Sequence, residues 1–281
     1  VEITKQIDIH LFHSWNDLSK KQLIDLCRLF SEPKEKADFM LKAAMKLLNM
    51  KLLRYIRTDK NNVYDFRKDK KLIRLDAEQV AVICSQLEWL LKESDLTRNK
   101  IPVVKRRFKK YYGPSDYLYN MNYDEFKEAE NFFLAYNSKK DEKYLNLLVA
   151  SMYRKKKKKY NPDSPDNNGD KREKFSSFNI ERRAKKISGI PFEYKLAVFQ
   201  FFYGCLRHLS KVFPIAFESR SGGAVYDRVQ ASLKVMNYIT GNDVTKKEIV
   251  RNANLYDVLA SLDEEKNMSD QLLKLRKNGI S

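Results

Sequence analysis

Glycine and proline are scarce in this chain, at eight and seven of 281 residues. A sandwich or barrel of short strands needs a turn roughly every 8–12 residues, and this composition does not supply them. Cysteine is scarcer. Cys27, Cys84 and Cys205 are odd in number, far apart, and each set in an apolar helical pattern. That excludes a disulfide framework and reads as buried, reduced thiols. No apolar run approaches the ~18 residues of a membrane span, the most apolar stretch being "LAVFQFFYGCL", and the N-terminal stretch has no signal-like apolar core. The expectation is a soluble intracellular chain with no membrane partner.

Chemistry-bearing patterns are also few. The histidines are His10, His13 and His208, and only "HLFH" brings two together, without the cysteine or carboxylate pair a metal site needs. There is no phosphate-cradling glycine–lysine loop and no dinucleotide fingerprint. The one Ser-Gly candidate, "SRSGGAVYD", lacks the preceding strand of a nucleophile elbow. Asp124/Glu125 and Asp263 to Glu265 read as helix-end or surface charge. No catalytic residue, metal or cofactor is expected, and the chain reads as non-enzymatic.

What is abundant is positive charge: 55 Lys and Arg against 37 Asp and Glu, a net of +18. Such an excess asks for an anionic partner. Part of it is clustered. Residues 98–110 hold seven Lys/Arg and no acid, and residues 154–174 hold nine against four. Lys105, Arg106, Arg107, Lys109 and Lys110 in "KRRFKK", with Lys155, Lys156, Lys157, Lys158 and Lys159, are the candidate nucleic-acid contacts. They could neutralise phosphates while nearby tyrosines stack bases. The opposing reading is a solvated lysine loop, since no zinc-finger, homeodomain-type or RNA-recognition signature accompanies the charge.

Periodicity supports a mainly α fold, an irregular multi-helix domain with one small β-hairpin. Ser19 caps a helix with Leu23, Leu26, Cys27 and Phe30 on one face. Pro33 opens a second with Ala37, Met40, Leu41, Ala44, Leu47 and Leu48. Two β-favouring runs around "KDK" predict a hairpin near 63–75. Asp76 with Gln79 then predicts a capping box for a helix bearing Ile83, Leu87, Leu90 and Leu91. After the basic, Pro- and Asn-rich segment, Asn179 caps "IERRAKKI" and Pro191 opens an aromatic helix that Pro214 ends. A helix with Val225, Val229, Leu233 and Met236 is stopped by Gly241, a last one runs through Leu255, Val258, Leu259 and Leu262, and the final dozen residues fray. This divides the chain into a helical region 1–153, a flexible basic loop 154–174 and a helical region 175–281 packed on the first as one domain.

"YYGPSDYLYNMNYDEF", residues 111–126, gathers five tyrosines around Gly113 and Pro114. Asn122 is placed to cap the following helix, with Glu125 where a capping box wants it, and Phe126, Ala129, Phe133 and Tyr136 share the next face. Gly113 is expected to supply a turn geometry that side chains resist. The tyrosines, Tyr117 and Tyr119 among them, then read as packing around a helix start. Tyr144, Leu145, Leu148, Val149 and Met152 repeat the helical spacing further on.

The order of these blocks, from "SWNDLSKKQL" through "YYGPSDYLYNMNYDEFKEAENFF", "YLNLLVASMYR" and "ERRAKKISGIPFEYKLAVFQFFYGC" to "GNDVTKKEIVRNANLYDVLASL", resembles uncharacterised phage and prophage proteins of Bacteroides-like gut bacteria, including relatives of crAss-like phages. The resemblance implies a non-enzymatic morphogenesis protein, for tail assembly or as a virion component, acting through protein–protein contacts. Its implied partners are tail or virion proteins of tape-measure, ring or portal type, in the host cytoplasm during assembly or in the virion. "NLYDVL" is also similar to tail assembly chaperones. The strong basicity departs from a plain chaperone and keeps open non-specific DNA contact, with a nucleic-acid-binding accessory protein as the alternative.

Overall fold

Several of the helices begin where a polar side chain accepts from one of the first free N–H groups. The computed structural model describes residues 12–32, 35–57, 62–161, 169–218, 240 and 243–264. It forms two units, Val1–Leu96 with Pro191–Phe201, and Thr97–Ile190 with Phe202–Ser281. The segment 154–174 falls inside the second.

In the first unit, α1 (Lys20–Phe30) starts at Ser19, whose hydroxyl accepts from the Gln22 N–H while the Gln22 side chain accepts from the Ser19 N–H. Leu23, Leu26 and Cys27 are buried as the spacing predicts. Phe30 lies at the margin of this core, 4.8 Å from Phe39 and 5.9 Å from Trp15 between ring centroids. Helix α2 (Lys36–Leu47) buries Phe39, Met40, Ala43, Ala44 and Leu47. Met40, Ala44, Leu47 and Leu48 of the predicted stripe are buried, while Ala37 is exposed and Leu41 half-buried, the inward face being turned toward Phe39 and Ala43. Pro33 lies outside the described residues.

The predicted hairpin is two strands of a three-stranded antiparallel meander, β1 (Lys51–Arg57), β2 (Asn62–Lys68) and β3 (Lys71–Asp76). The β2–β3 turn is Asp69-Lys70, with Asp69 at φ 54°. Strand β1, "KLLRYIR", escapes periodicity because it buries no residue fully; at the edge of the sheet, β2 holds it by backbone pairing. On β2, Asp65 is buried and gripped from both sides. Arg74 Nε donates to Oδ1 at 2.7 Å, and Arg54 donates to Oδ2 at 2.7 and 3.0 Å. The Arg74 and Arg54 hydrogen bonds hold the Asp65 carboxyl down at about 2.

Helix α3 (Ala77–Ser85) has the predicted capping box, Asp76 with Gln79. The helix ends sooner than the pattern implies, giving way to a 3-10 turn at Glu88–Leu91. Leu87 and Leu90 remain buried, but the changed rotation leaves Leu91 exposed. Within the same unit Arg28 donates to Glu193 at 2.7 Å, at the start of α7 (Phe192–Val212), and Ser94 donates to the Gln200 carbonyl.

A second hairpin opens the other unit, β4 (Val103–Arg106) with β5 (Lys109–Tyr112). The fold is mainly α, yet it carries five strands in two sheets among the described residues rather than one hairpin. "VVKRRFKKYY" conceals its strands because charge covers one face and the tip. Helices α4 (Tyr123–Lys139) and α5 (Glu142–Met152) follow. Their apolar faces, Phe126, Ala129, Phe133 and Tyr136 on α4 and Leu145, Leu148, Val149 and Met152 on α5, are buried as the spacing predicts. Phe126 and Phe133 meet Phe202 at 5.9 and 5.5 Å. Helix α6 (Ile180–Ile187) buries Ile180, Ala184 and Ile187. Asn179 makes no side-chain cap there; it accepts from Arg182 instead. Helix α7 ends before Phe213, and Pro214 begins the short α8 (Pro214–Glu218). The predicted helix through Val225 to Met236, Gly241 and the final dozen residues lie outside the described residues.

Candidate nucleic-acid interface

The two basic segments that are far apart in sequence are joined by an isolated β-bridge. Beyond β5, Tyr112 and Arg154 exchange both backbone hydrogen bonds, at 2.7 and 3.0 Å. On the far side of residues 154–157, the Lys157 N–H donates to the Lys171 carbonyl at 2.9 Å and the Glu173 N–H to the Lys155 carbonyl at 2.8 Å. Single bridges thus link the β4–β5 hairpin, the connector (residues 154–159) and residues 171–173 into one ribbon.

Register decides which side chains leave this ribbon. Val104 lies opposite Tyr111, and both are buried. One residue on, Lys105 lies opposite Lys110, both exposed on the other face. Arg106 then faces Lys109. Arg107 and Phe108 form the tip, Arg107 at φ 50° and Phe108 fully exposed. Arg106 is the exception among the cations. Its guanidinium lies against Gly189, where any side chain would collide with it. That places it just beyond the carbonyl end of α6, an end that favours a cation.

On the connector, Lys155, Lys156, Lys158 and Lys159 are exposed and Lys157 is half-buried. Lys156 sits 5.3 Å over the Tyr160 ring, and Lys171 5.1 Å over Tyr112. Exposed Arg182, Lys185 and Lys186 on α6 are further cations of the same unit.

Beneath the ribbon is a closed electrostatic cluster. Arg172, fully buried, donates to Glu125 at 2.7 Å, Asp170 at 2.8 Å, the Met152 carbonyl at 2.9 Å and the Asn120 carbonyl at 3.0 Å. Arg154, also buried, pairs with Glu125 at 2.7 Å and Asp170 at 3.4 Å and donates to the Glu173 carbonyl. Burial alone would lower the Arg172 pKa, but Glu125 and Asp170 hold it above its ordinary value. Two cations and two carboxylates thus satisfy one another. The ends of segment 154–174, expected as a flexible loop, are anchored by this cluster and by strand pairing; residues 162–168 lie outside the described residues. Arg183 donates to the Ala150 carbonyl, and burial, with Arg154 nearby, brings its guanidinium down to about 10.

The residues singled out around the tyrosines are structural in their contacts. Asn122 caps α4, its side chain accepting from the Glu125 N–H at 2.8 Å. The Glu125 carboxylate turns to the two arginines, so the charge-pairing cluster claims it in place of a capping box. The Pro114 carbonyl accepts from Asn99. Gly113 does not take a left-handed backbone; its Cβ would stand 2.6 Å from the Tyr153 ring. Close approach, not turn geometry, requires glycine there. Positive φ falls on Tyr117 and Leu118 instead, at 56° and 65°. Tyr117 meets His208 edge-on at 4.8 Å, Tyr119 meets Tyr256 at 4.7 Å, and the Tyr256 hydroxyl donates to the Tyr117 carbonyl. The helix over 255–264 docks there, with the Leu255 N–H bonded to the Met121 carbonyl.

His13 is exposed and His10 lies outside the described residues, as do Ser219, Ser221, Gly222 and Gly223 of the serine–glycine stretch. Among the described residues no group of three metal-ligating side chains converges, and no helix is long and apolar enough to cross a membrane. No family model, curated protein or solved structure matches the chain. Sequence reading missed Phe108 and Lys171, which lie on the hairpin and the bridged segment. "KRRFKK" carried the signal as dense positive charge, but only strand register could orient it.

Proposed function

We propose that the second unit binds nucleic acid through its phosphates, with the β4–β5 hairpin and residues 155–159 as the contact. One observation carries this reading. Lys105 faces Lys110, both exposed, across a hairpin of two four-residue strands, and like charges directly opposite destabilise a strand pair. A hairpin selected for folding alone gains nothing from that arrangement, whereas a polyanion laid along it relieves the repulsion. The test is fluorescence anisotropy with labelled 20-mer duplex and single-stranded oligonucleotides across a range of NaCl. Replacing Lys155 to Lys159 by Ser should weaken duplex binding and flatten its salt dependence, by about 0.9 in log–log slope for each phosphate the variant leaves unneutralised. Lys105→Ser with Lys110→Ser should do the same. Failure of the wild type to bind at low salt, or indifference to both variants, overturns the reading.

A second reading follows from the block resemblance: a non-enzymatic phage morphogenesis protein working by protein contacts. An apolar groove in the first unit favours it. Ala37, Met40, Leu41, Val80, Ala81 and Cys84 line it, and the Lys36–Glu88 pair stands at its rim. Such a groove suits the apolar face of an amphipathic helix. Ala81→Asp should abolish co-purification with the co-expressed tape-measure, ring or portal protein; retained co-purification removes the groove from the account. The two readings are compatible in a virion component that touches packaged DNA.

A further inference from the structure

We infer that Phe108 is a base-stacking residue and that the preferred ligand of the basic face is single-stranded nucleic acid. The inference rests on the nucleic-acid reading above and adds to it what meets the bases.

The hairpin tip is unsuited to its folding task. A two-residue hairpin turn favours Asn-Gly, Asp-Gly or Gly-containing pairs, because at least one position takes positive φ. Here the pair is Arg107-Phe108, with Arg107 holding the left-handed backbone at φ 50°. Phe108 contributes nothing to the core, since its relative exposure is 104%. Uncommon backbone held by a bulky residue is a pointer to function when the side chains it presents have another use.

The surroundings say which use. Every neighbour of the ring along the hairpin, Arg106, Arg107, Lys109 and Lys110, is a cation, and no acid occurs between residues 98 and 110. Lys110 is two residues behind the ring, so its Cα lies about 7 Å back along the strand. An aromatic at the end of a cationic ribbon offers a π-face for one base and ammonium groups for the adjoining phosphates. In a duplex that face is already taken by the neighbouring base pair, and reaching it requires unstacking. A single strand presents it freely, which is why the ligand is assigned as unpaired.

The experiment compares a labelled 20-nucleotide single strand with the 20-base-pair duplex of the same sequence at 100 mM NaCl. Wild type should hold the single strand more tightly. Phe108→Ala should weaken single-strand binding about ten-fold while leaving duplex affinity and the salt slope of both unchanged, since every phosphate contact is kept. Phe108→Trp should restore affinity, and the single strand should quench its added fluorescence. Arg107→Gly should leave the melting temperature unchanged or raised and still weaken binding, which separates ligand contact from hairpin folding. Equal weakening on both ligands, no weakening on either, or tighter duplex binding overturns the stacking assignment while the phosphate reading stands. Absence of any oligonucleotide binding by wild type overturns both. If Phe108→Ala instead abolishes binding to phosphatidylserine vesicles and spares oligonucleotides, the tip is a membrane contact and the inference fails.

Discussion

Gly113 and Glu125 show how much a single position can hold. The Tyr153 ring that crowds Gly113 cannot step aside, because its hydroxyl donates to the Ile101 carbonyl at 2.7 Å and the residue is fully buried. Gly113→Ala should therefore cost about 1–3 kcal/mol, as overpacked cores do. In a Tyr153→Ala background the same change should cost much less, leaving only the Asn99 side-chain nitrogen, 2.9 Å from the new Cβ, to give way, and urea denaturation of the four proteins measures the coupling. Glu125 is the shared carboxylate of Arg154 and Arg172. Glu125→Gln leaves two buried guanidinium groups to one carboxylate, and breaking a buried pair costs about 3–5 kcal/mol. A destabilisation below ~1 kcal/mol in the same denaturation assay would mean the arginines find other partners. Neither role could be read from the chain. The sequence marks Gly113 as a glycine before proline and Glu125 as a third helical residue, and both identities fit commoner explanations. The partners that decide otherwise, Tyr153 and Arg172, are 40 and 47 positions away.

Helices were legible in proportion to how one-sided their burial is. Helices α1, α4 and α5 bury the predicted apolar stripe, with Glu125 and Glu130 buried beside it on α4, and announce their caps at Ser19, Asn122 and Asp141, the last of these not singled out from sequence. The β1 and β4–β5 strands were not legible, because β1 buries nothing fully and β4–β5 alternates buried Val104 and Tyr111 with lysine and arginine. The meander invites a pH test. Asp65 has its folded pKa depressed to about 2 by Arg74 and Arg54, against about 3.9 for an unfolded aspartate. Its contribution is fully present above pH ~4 and is lost as pH falls toward 2. Wild type should lose stability through that window, whereas Asp65→Asn, already weakened at neutral pH, should show a flatter curve. Urea midpoints at pH 5, 4, 3 and 2.5 measure the difference; parallel curves would remove Asp65 from the acid response.

A chain with net charge of +18 repels itself, and the cross-strand cation pairs of the second unit concentrate that repulsion. Screening should help it. The melting temperature should rise between 50 and 300 mM NaCl, the reverse of what the exposed Arg54 and Arg74 pairs alone would give. A fall would show that attractive pairs outweigh the repulsion. Composition made the charge obvious from the start, and its clustering singled out the residues that the ribbon brings together. What composition could not supply was assembly: Lys110 and Lys155 are 45 positions apart in sequence, and only the Tyr112–Arg154 bridge makes them part of one ribbon.

That bridge and the four-charge cluster beneath it also act as a clasp, closing the chain at Arg154 and Arg172 without a covalent link. For a closure of this kind, lengthening the closed segment adds only loop entropy, about 0.6 kcal/mol for each doubling. The fold is thereby insulated from the length and composition of what the clasp encloses. A chain lengthened between Arg154 and Arg172 should therefore keep the clasp, and its melting temperature should stay close to that of the wild type.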